Sequence, residues 1–517
     1  MRRDPGALDG GVFDVAVLGG GVLGAAVARE AARRGLAVAL LEKDDFGCEA
    51  SANNLRILHG GVRSLSRGRI LDGRASRGQL VEWCRIAPHL VDSLAVLAPT
   101  GSRALPRIAS VFSNVALTPG HAAVPPRARP VDRRELAAVW PGGASDPDLP
   151  AAALEFEDGL AYNAERLVLT LVKEAAAAGA TVLNHVEATG GTRREDRIER
   201  LSFRDVPDGT AGAFEARLVV NVTGASVAEV AGRLGVRVSP PGLSFSLNLL
   251  VGPRGLDRAI GVGKERRVFF VPWREAMAIG TAHHPVCALP DLDEAVEGFL
   301  AEANRAWPGD PIALDEIRHV QTGWVLADSS SGAPARVSER SWMATGRTTG
   351  CANLVSAASH KLTTAPAFAR RVLDVGLRDA GLSGETAGAG ARRHPGSGEG
   401  AADPDGWART ASALETRLAD RAPRDVVAHT IRMYGTEADR VLAADVEGRD
   451  DRIVVGAPVV RAHFTYAVVH EMAITEDDIL ERRSELGPRG LVDDAARAAA
   501  RTALEMRRGA SGRSPEH

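Results

Sequence analysis

Lysine is nearly missing from this chain. Of its 63 basic residues only four are lysines, at positions 43, 173, 264 and 361. Abundant Ala and Gly alongside Arg read most simply as GC-rich coding, so a lysine kept against that drift marks a position of interest. Cysteine is equally sparse: Cys48, Cys84, Cys287 and Cys351 are scattered, with no C-x-x-C pair. That spacing argues against a disulfide framework and offers no clustered ligands for structural zinc, so four reduced thiols are expected. An excess of one charge is also missing. The 63 basic and 66 acidic residues leave a net charge of −3, which gives no field calling for nucleic acid. No run of about 18 apolar residues occurs, so no transmembrane helix is expected. The opening MRRDPGALDGG is basic but lacks the apolar stretch of a secretion signal. The expectation is a cytoplasmic protein that at most rests on a membrane surface as a peripheral partner.

What is present is a globular composition: 45% apolar and 25% charged residues over 517 positions, enough for two or three domains. From Val12 to Leu41 the pattern reads strand, glycine turn, helix, strand. Gly19-Gly20-Gly21-Val22-Leu23-Gly24 satisfies G-x-G-x-x-G directly after the strand and at the mouth of the helix. Gly19 permits the tight turn, Gly21 lets backbone approach a pyrophosphate, and Gly24 lets helix and strand pack closely. The helix start then offers free N–H groups and partial positive charge to the diphosphate. Glu42 ends the second strand, where its carboxylate can accept hydrogen bonds from ribose hydroxyls. Together these features predict a dinucleotide site, without deciding between NAD and FAD.

Further along, 151–235 alternates helix and strand, whereas 236–334 is dominated by short β-like runs. A Gly-, Ala- and Pro-rich stretch at 381–407 reads as a linker, and 408–510 is helical in pattern.

The segment after the second strand decides for FAD. Ser51 and the run from Arg56 through His59, Gly60, Gly61 and Arg63 to Leu65 resemble the flavin-contacting segment of FAD-dependent glycerol-3-phosphate dehydrogenases. These belong to the D-amino-acid-oxidase-like flavoproteins. RIAPHLV (85–91) is similar to the helix that follows, and GATVLNHVEAT (179–189) to the strand whose Val186 backbone meets adenine. VVNVTGASV (219–227) resembles the Thr223-Gly224 turn near the diphosphate, and VPWREAMAIGT (271–281) a family β-hairpin. HKLTTAPAFA (360–369) resembles the late flavin-site helix, with Lys361, Leu362 and Thr363. YAVVHEMAITEDDILERRSELG (466–487) resembles a C-terminal family signature.

The resemblance implies an α/β fold: a Rossmann-like FAD-binding domain with an inserted antiparallel β-rich substrate domain and a C-terminal helical domain. The FAD-binding domain is expected at 11–90, 151–235 and 335–380, and the substrate domain at 91–150 and 236–334. Besides the glycines, Glu42, Lys43, Ser51, His59, Val186, Thr223, Gly224 and the 361–363 stretch are expected to bind the cofactor. Independently of the family, Thr363 or Thr364 can cap a helix whose first turn tolerates Pro366. Lys361 beside that helix start would stabilise negative charge on a reduced flavin.

The substrate side departs from the family. Arg63 and Arg336 are the expected anchors of an anionic or polar group. The tyrosine usual after the first arginine is Ser64, and Val325 stands where the family has another arginine. Ala282-His283 replaces a Thr-Asp pair, and Ser359-His360 a glycine pair. His283 is the candidate base, because imidazole titrates near neutrality. The expected chemistry is oxidation of a secondary alcohol by hydride transfer to flavin N5, with altered specificity and with a quinone or O2 as acceptor. Glycerol-3-phosphate dehydrogenase proper, oxidation of an amine, and a non-catalytic flavin protein stay open; a homo-oligomer is expected.

Overall fold

The computed structural model describes residues 1–65, 68–117, 127–263, 267–285, 290–307, 309–328, 336–382 and 404–511. The side chains of 285, 336, 404, 405 and 507–511 lie outside the described set, as do most of the expected linker, Lys264 and Cys287.

Val12–Leu18 is the middle of a parallel array. It pairs with Val38–Leu41 on one side and Ala211–Asn221 on the other. Thr181–Leu183 and Leu354–Ala358 extend the array outward, again in parallel. Strands buried on both faces read as continuous apolar runs, and Val15, Ala16, Val17, Val38, Ala39 and Leu40 are essentially inaccessible. The helix Val22–Arg33 supplies the first crossover. Its buried alanines (Ala25, Ala26, Ala28, Ala31 and Ala32) let it pack closely against Ala164–Ala177 and Ala365–Asp379. All parallel strands point the same way, so Gly19, Glu42 and Thr223 emerge together beyond their carboxyl ends, where α/β sheets bind ligands.

A second, ten-stranded sheet carries Gly242–Val251 between Met277–Pro285 and Ile317–Asp328, all antiparallel. The expected boundary at 151 needs correction here. Ala152–Ala161 pairs along its whole length with Val91–Thr100, and Ile57–Leu58 pairs with Ala152–Ala161, so both belong to this second sheet. A second correction concerns 85–91. The helix is Ile70–Ile86 and stops before Pro88, which has no N–H for a helix interior.

The C-terminal region is helical as expected: Pro404–Leu418, Arg424–Tyr434, Ala438–Ala443, Arg461–His470 and Asp494–Ser511, with a π-helical turn at Asp478–Arg483. It has apolar clusters of its own, yet is tied to the first domain by buried charge. Arg166 forks onto Glu471 at 2.7 and 2.8 Å, both side chains being almost fully buried. No described helix is long and apolar enough to cross a membrane.

Candidate active site

One cleft of about 3520 Å³ runs from the glycine turn to the second sheet. A site for one small molecule spans roughly 300–1,000 Å³, so there is room for a dinucleotide and a substrate.

At the nucleotide end, Gly19 has φ +104°, and a Cβ there would lie 2.8 Å from Val222 O. A Cβ on Gly24 would lie 1.8 Å from Gly19 O, so this glycine lets the helix close onto the turn. Glu42 is 6% exposed; its carboxylate accepts N–H groups from Gly20 (2.6 Å) and Asp44 (2.9 Å). Burial pushes its pKa up against those two hydrogen bonds. Ser51 reaches in from the next loop, its Oγ accepting the Val22 N–H at 3.0 Å. It therefore meets one of the helix-start amides, at the turn. Lys43 lines the cleft, ion-paired with Asp44 at 2.6 Å. Val186 N–H donates to Glu42 O at 2.7 Å, so the strand from Val186 is stitched to the loop after the second parallel strand. These features fit FAD: bare backbone at the turn, a buried carboxylate at the end of the second strand, and Thr223-Gly224 opposite.

Midway, three segments converge. His59 N–H donates to Thr363 Oγ1 at 3.1 Å, and Thr363 O accepts from Trp83 Nε1 at 3.1 Å. This corrects the expected cap: neither Thr363 nor Thr364 makes a side-chain bond to the Ala365–Asp379 helix; the Thr363 hydroxyl accepts from His59, and Thr364 Oγ1 donates to Lys361 O at 3.4 Å. His59 Nδ1 lies 3.1 Å from Asp158 Oδ2, while Asp158 Oδ1 accepts the Gly60 N–H at 2.6 Å. Gly60 and Gly61 support the site from behind: Gly61 has φ +103°, and a Cβ there would meet Gly73 O at 2.2 Å. Lys361, Leu362 and Thr363 line the cleft. His360 bonds Ser341 through Nδ1 at 2.9 Å, and burial with Lys361 and Arg69 nearby lowers its pKa to about 4.

At the other end of the cleft, polar side chains line antiparallel strands, with charged residues such as Arg63 and Arg267 beside them. Opposing strands bring Ser246 against His283 and Gly323, and Ser244 against Val325. His283 Nδ1 lies 2.9 Å from Ser246 Oγ, and Thr281 Oγ1 donates to Asn248 Oδ1 at 2.8 Å. Trp324 stacks edge-on against Phe245, with centroids 5.2 Å apart. Arg63 is exposed into the cleft, its guanidinium 5.8 Å from the Phe269 ring. The backbone of Arg336 is in a short strand, but its side chain lies outside the described set; Arg340, four residues on, lines the cleft.

Of the residues expected from sequence, Gly19, Gly21, Glu42, Lys43, Ser51, His59, Arg63, Val186, Thr223, Gly224, His283, Lys361, Leu362 and Thr363 share this one cleft. Gly24, Gly60 and Gly61 shape its walls without lining it. Sequence reasoning missed Ser246, Asn248, Thr281, Asp158 and Arg340. For the first two a signal existed: Ser244, Ser246 and Asn248 alternate with apolar residues along one strand, the period-2 mark of a shared face.

The pattern of the family described as FAD dependent oxidoreductase matches residues 14–375, which sets the class. That of the C-terminal domain of alpha-glycerophosphate oxidase matches 392–515. Glycerol-3-phosphate dehydrogenase 1 of Mycobacterium tuberculosis is 30% identical over 520 residues, covering 93% of this chain and 92% of that protein. The Synechocystis glycerol-3-phosphate dehydrogenase is 28% identical, over 94% and 91%. Among solved structures, Bacillus halodurans glycerol-3-phosphate dehydrogenase complexed with FAD superposes with a TM-score of 0.71. It is 19% identical and covers 97% of this chain and 96% of that one, which shows the shared fold. The chain belongs to the FAD-dependent glycerol-3-phosphate dehydrogenase family, a branch of the D-amino-acid-oxidase-like flavoproteins. It is an oxidoreductase, and FAD is its cofactor.

Proposed function

We propose that the protein oxidises a secondary alcohol of a small polar substrate, with specificity moved away from glycerol 3-phosphate. The observation that carries this reading is Val325. The hydrocarbon side chain lines the cleft at the position where the family resemblance calls for a guanidinium, opposite Ser244. Losing one charged group from a desolvated anion site costs about 2–5 kcal/mol, which a phosphate-dependent enzyme has to recover elsewhere. Bound FAD supplies the hydride acceptor, at flavin N5. The chain's own residues orient the substrate and take its proton. Arg63 and Arg340 hold a polar or anionic group at the mouth. His283, steadied by Ser246 at Nδ1, takes the hydroxyl proton, while Asp158 positions the His59 ring beside the cofactor. Lys361, with the start of the Ala365–Asp379 helix, supports negative charge on the reduced cofactor.

A second reading is glycerol-3-phosphate dehydrogenase proper, passing electrons to a quinone. It is favoured by the exposed apolar row on the helix Leu105–Leu117, formed by Leu105, Ile108, Val111, Phe112 and Val115, which suits contact with a membrane surface. Anaerobic stopped-flow absorbance with a panel of polyols, their phosphates and amino acids separates these readings. Faster bleaching by unphosphorylated alcohols supports the proposal, and fastest bleaching by glycerol 3-phosphate supports the second reading. Flavin that only dithionite reduces would leave a non-catalytic flavoprotein.

A further inference from the structure

Behind the nucleotide end, the C-terminal region grips the two loops that carry Glu42 and Val186. The first loop, 42–45, follows the second parallel strand. Its Asp45 is 4% exposed and is forked by Arg483, with Nη2 to Oδ1 at 2.8 Å and Nη1 on Oδ2. The second loop, 184–186, leads into the strand from Val186. Its His185 Nε2 lies 3.0 Å from both carboxylate oxygens of Asp478. Asn184 bridges the loops and the C-terminal region, its Nδ2 donating to Asp45 Oδ1 at 2.8 Å and to Met472 O at 3.0 Å. The loops are also bonded directly: His185 N–H to Asp44 O at 2.8 Å and Val186 N–H to Glu42 O at 2.7 Å.

The grip depends on an unusual turn. Asp478–Arg483 is π-helical, and i→i+5 closure brings residues five apart onto one face. Asp478 and Arg483 are five apart, so one takes His185 while the other takes Asp45. An α-helical turn would point them in different directions. The turn itself is pinned: Arg483 Nε and Nη2 donate to Glu471 O at 3.1 and 2.9 Å. Asp478 Oδ2 also accepts the N–H groups of Ile474 and Thr475 at 2.8 and 3.1 Å. Neither Arg483 nor Asp478 lines the cleft.

We infer that the C-terminal segment 471–483 sets the affinity for FAD by holding Glu42 and Val186 in place from behind, with Arg483 and Asp478 as positioning residues. This rests on FAD as the cofactor and is independent of the substrate reading. Coupling is reciprocal: if the segment tightens FAD binding, FAD must tighten the segment.

The test titrates apoprotein with FAD, follows quenching of FAD fluorescence, and records the melting temperature of each apoprotein alongside. Arg483→Met is expected to weaken FAD binding roughly ten-fold or more and Asp478→Asn about five-fold, within the usual range for coupled sites. Arg483→Lys recovers part of the loss. The control is Arg274→Met, which removes an ion pair to Glu485 at the same domain interface but away from both loops. It lowers the melting temperature and leaves the FAD dissociation constant unchanged. Should Arg483→Met fail to fold, Asp478→Asn, which keeps an acceptor for the two N–H groups, decides alone. Hydrogen exchange gives a second readout: added FAD slows exchange at the amides of Ile474 and Thr475. Unchanged FAD affinity in variants that melt as early as Arg274→Met, or exchange in this turn that ignores FAD, would overturn the inference.

Discussion

At the nucleotide end of the cleft the turn is backbone, a glycine turn and helix-start amides, flanked by a few side chains such as the buried Glu42 carboxylate, Ser51 and Lys43. At the substrate end the walls are side chains, set out along three antiparallel strands, with Ser246, Asn248, Thr281 and His283 forming hydrogen-bonded pairs. The backbone turn admits few substitutions where it is tightest, since a Cβ at Gly19 or Gly24 would collide with backbone. Side-chain walls can be rewritten one residue at a time while the sheet registers persist. The first arrangement suits a cofactor shared by a whole family, and the second suits a specificity that moves within it.

Gly24→Val tests the contrast at its extreme. With Gly19 O 1.8 Å from an added Cβ, the helix has to move off the turn, and purified protein is expected to lack flavin absorbance altogether. Glu471→Gln tests the support behind that end. Removing one partner of a buried pair costs about 3–5 kcal/mol, measured as loss of stability in denaturant. Its pH dependence follows. Burial alone would push Glu471 up, but Arg166 and Lys173 outweigh it and hold the carboxyl well below the usual range. A depressed acid contributes stability above its unfolded pKa and loses it as pH falls through and below that value, so the variant should show a flatter acid limb.

Val325→Arg probes the other end. Restoring a guanidinium in the cleft is expected to raise kcat/KM for glycerol 3-phosphate by about ten-fold or more, by analogy with charged pairs in desolvated sites. Loss of FAD from this variant would break the claim that the two ends are separable. The smallest effect is expected from His360→Asn. With a pKa of about 4, His360 is neutral around pH 7, so the pH profile of flavin reduction near neutrality should not change.

The legibility of the site follows the same division. Gly19 to Gly24 and Glu42 lie in one continuous strand–turn–helix–strand, so local pattern places them. Ser51 and Thr363 were named from the family resemblance, but their partners, Val22 and His59, are 29 and 304 residues away. No local rule shows that their hydroxyls are spent inside the protein. The full extent of the second sheet is not legible in the sequence, because Ala152–Ala161 directly precedes a helix of the first domain and only its pairing with Val91–Thr100 shows where it belongs. At the substrate end the alternation of Ser244, Ser246 and Asn248 was readable as a polar face, but what it faces depends on the sheet register. The C-terminal signature reads plainly as a sequence. Its π-helical turn and its hold on Asp45 and His185 appear only in three dimensions.

The most direct measurement compares anaerobic flavin bleaching by glycerol 3-phosphate and by glycerol, in the protein as it stands and in Val325→Arg. The account predicts that the native protein gives glycerol 3-phosphate no advantage over the unphosphorylated alcohol, and that the arginine variant acquires one. Rapid bleaching that already favours glycerol 3-phosphate in the native protein, with no further gain in the variant, would contradict it.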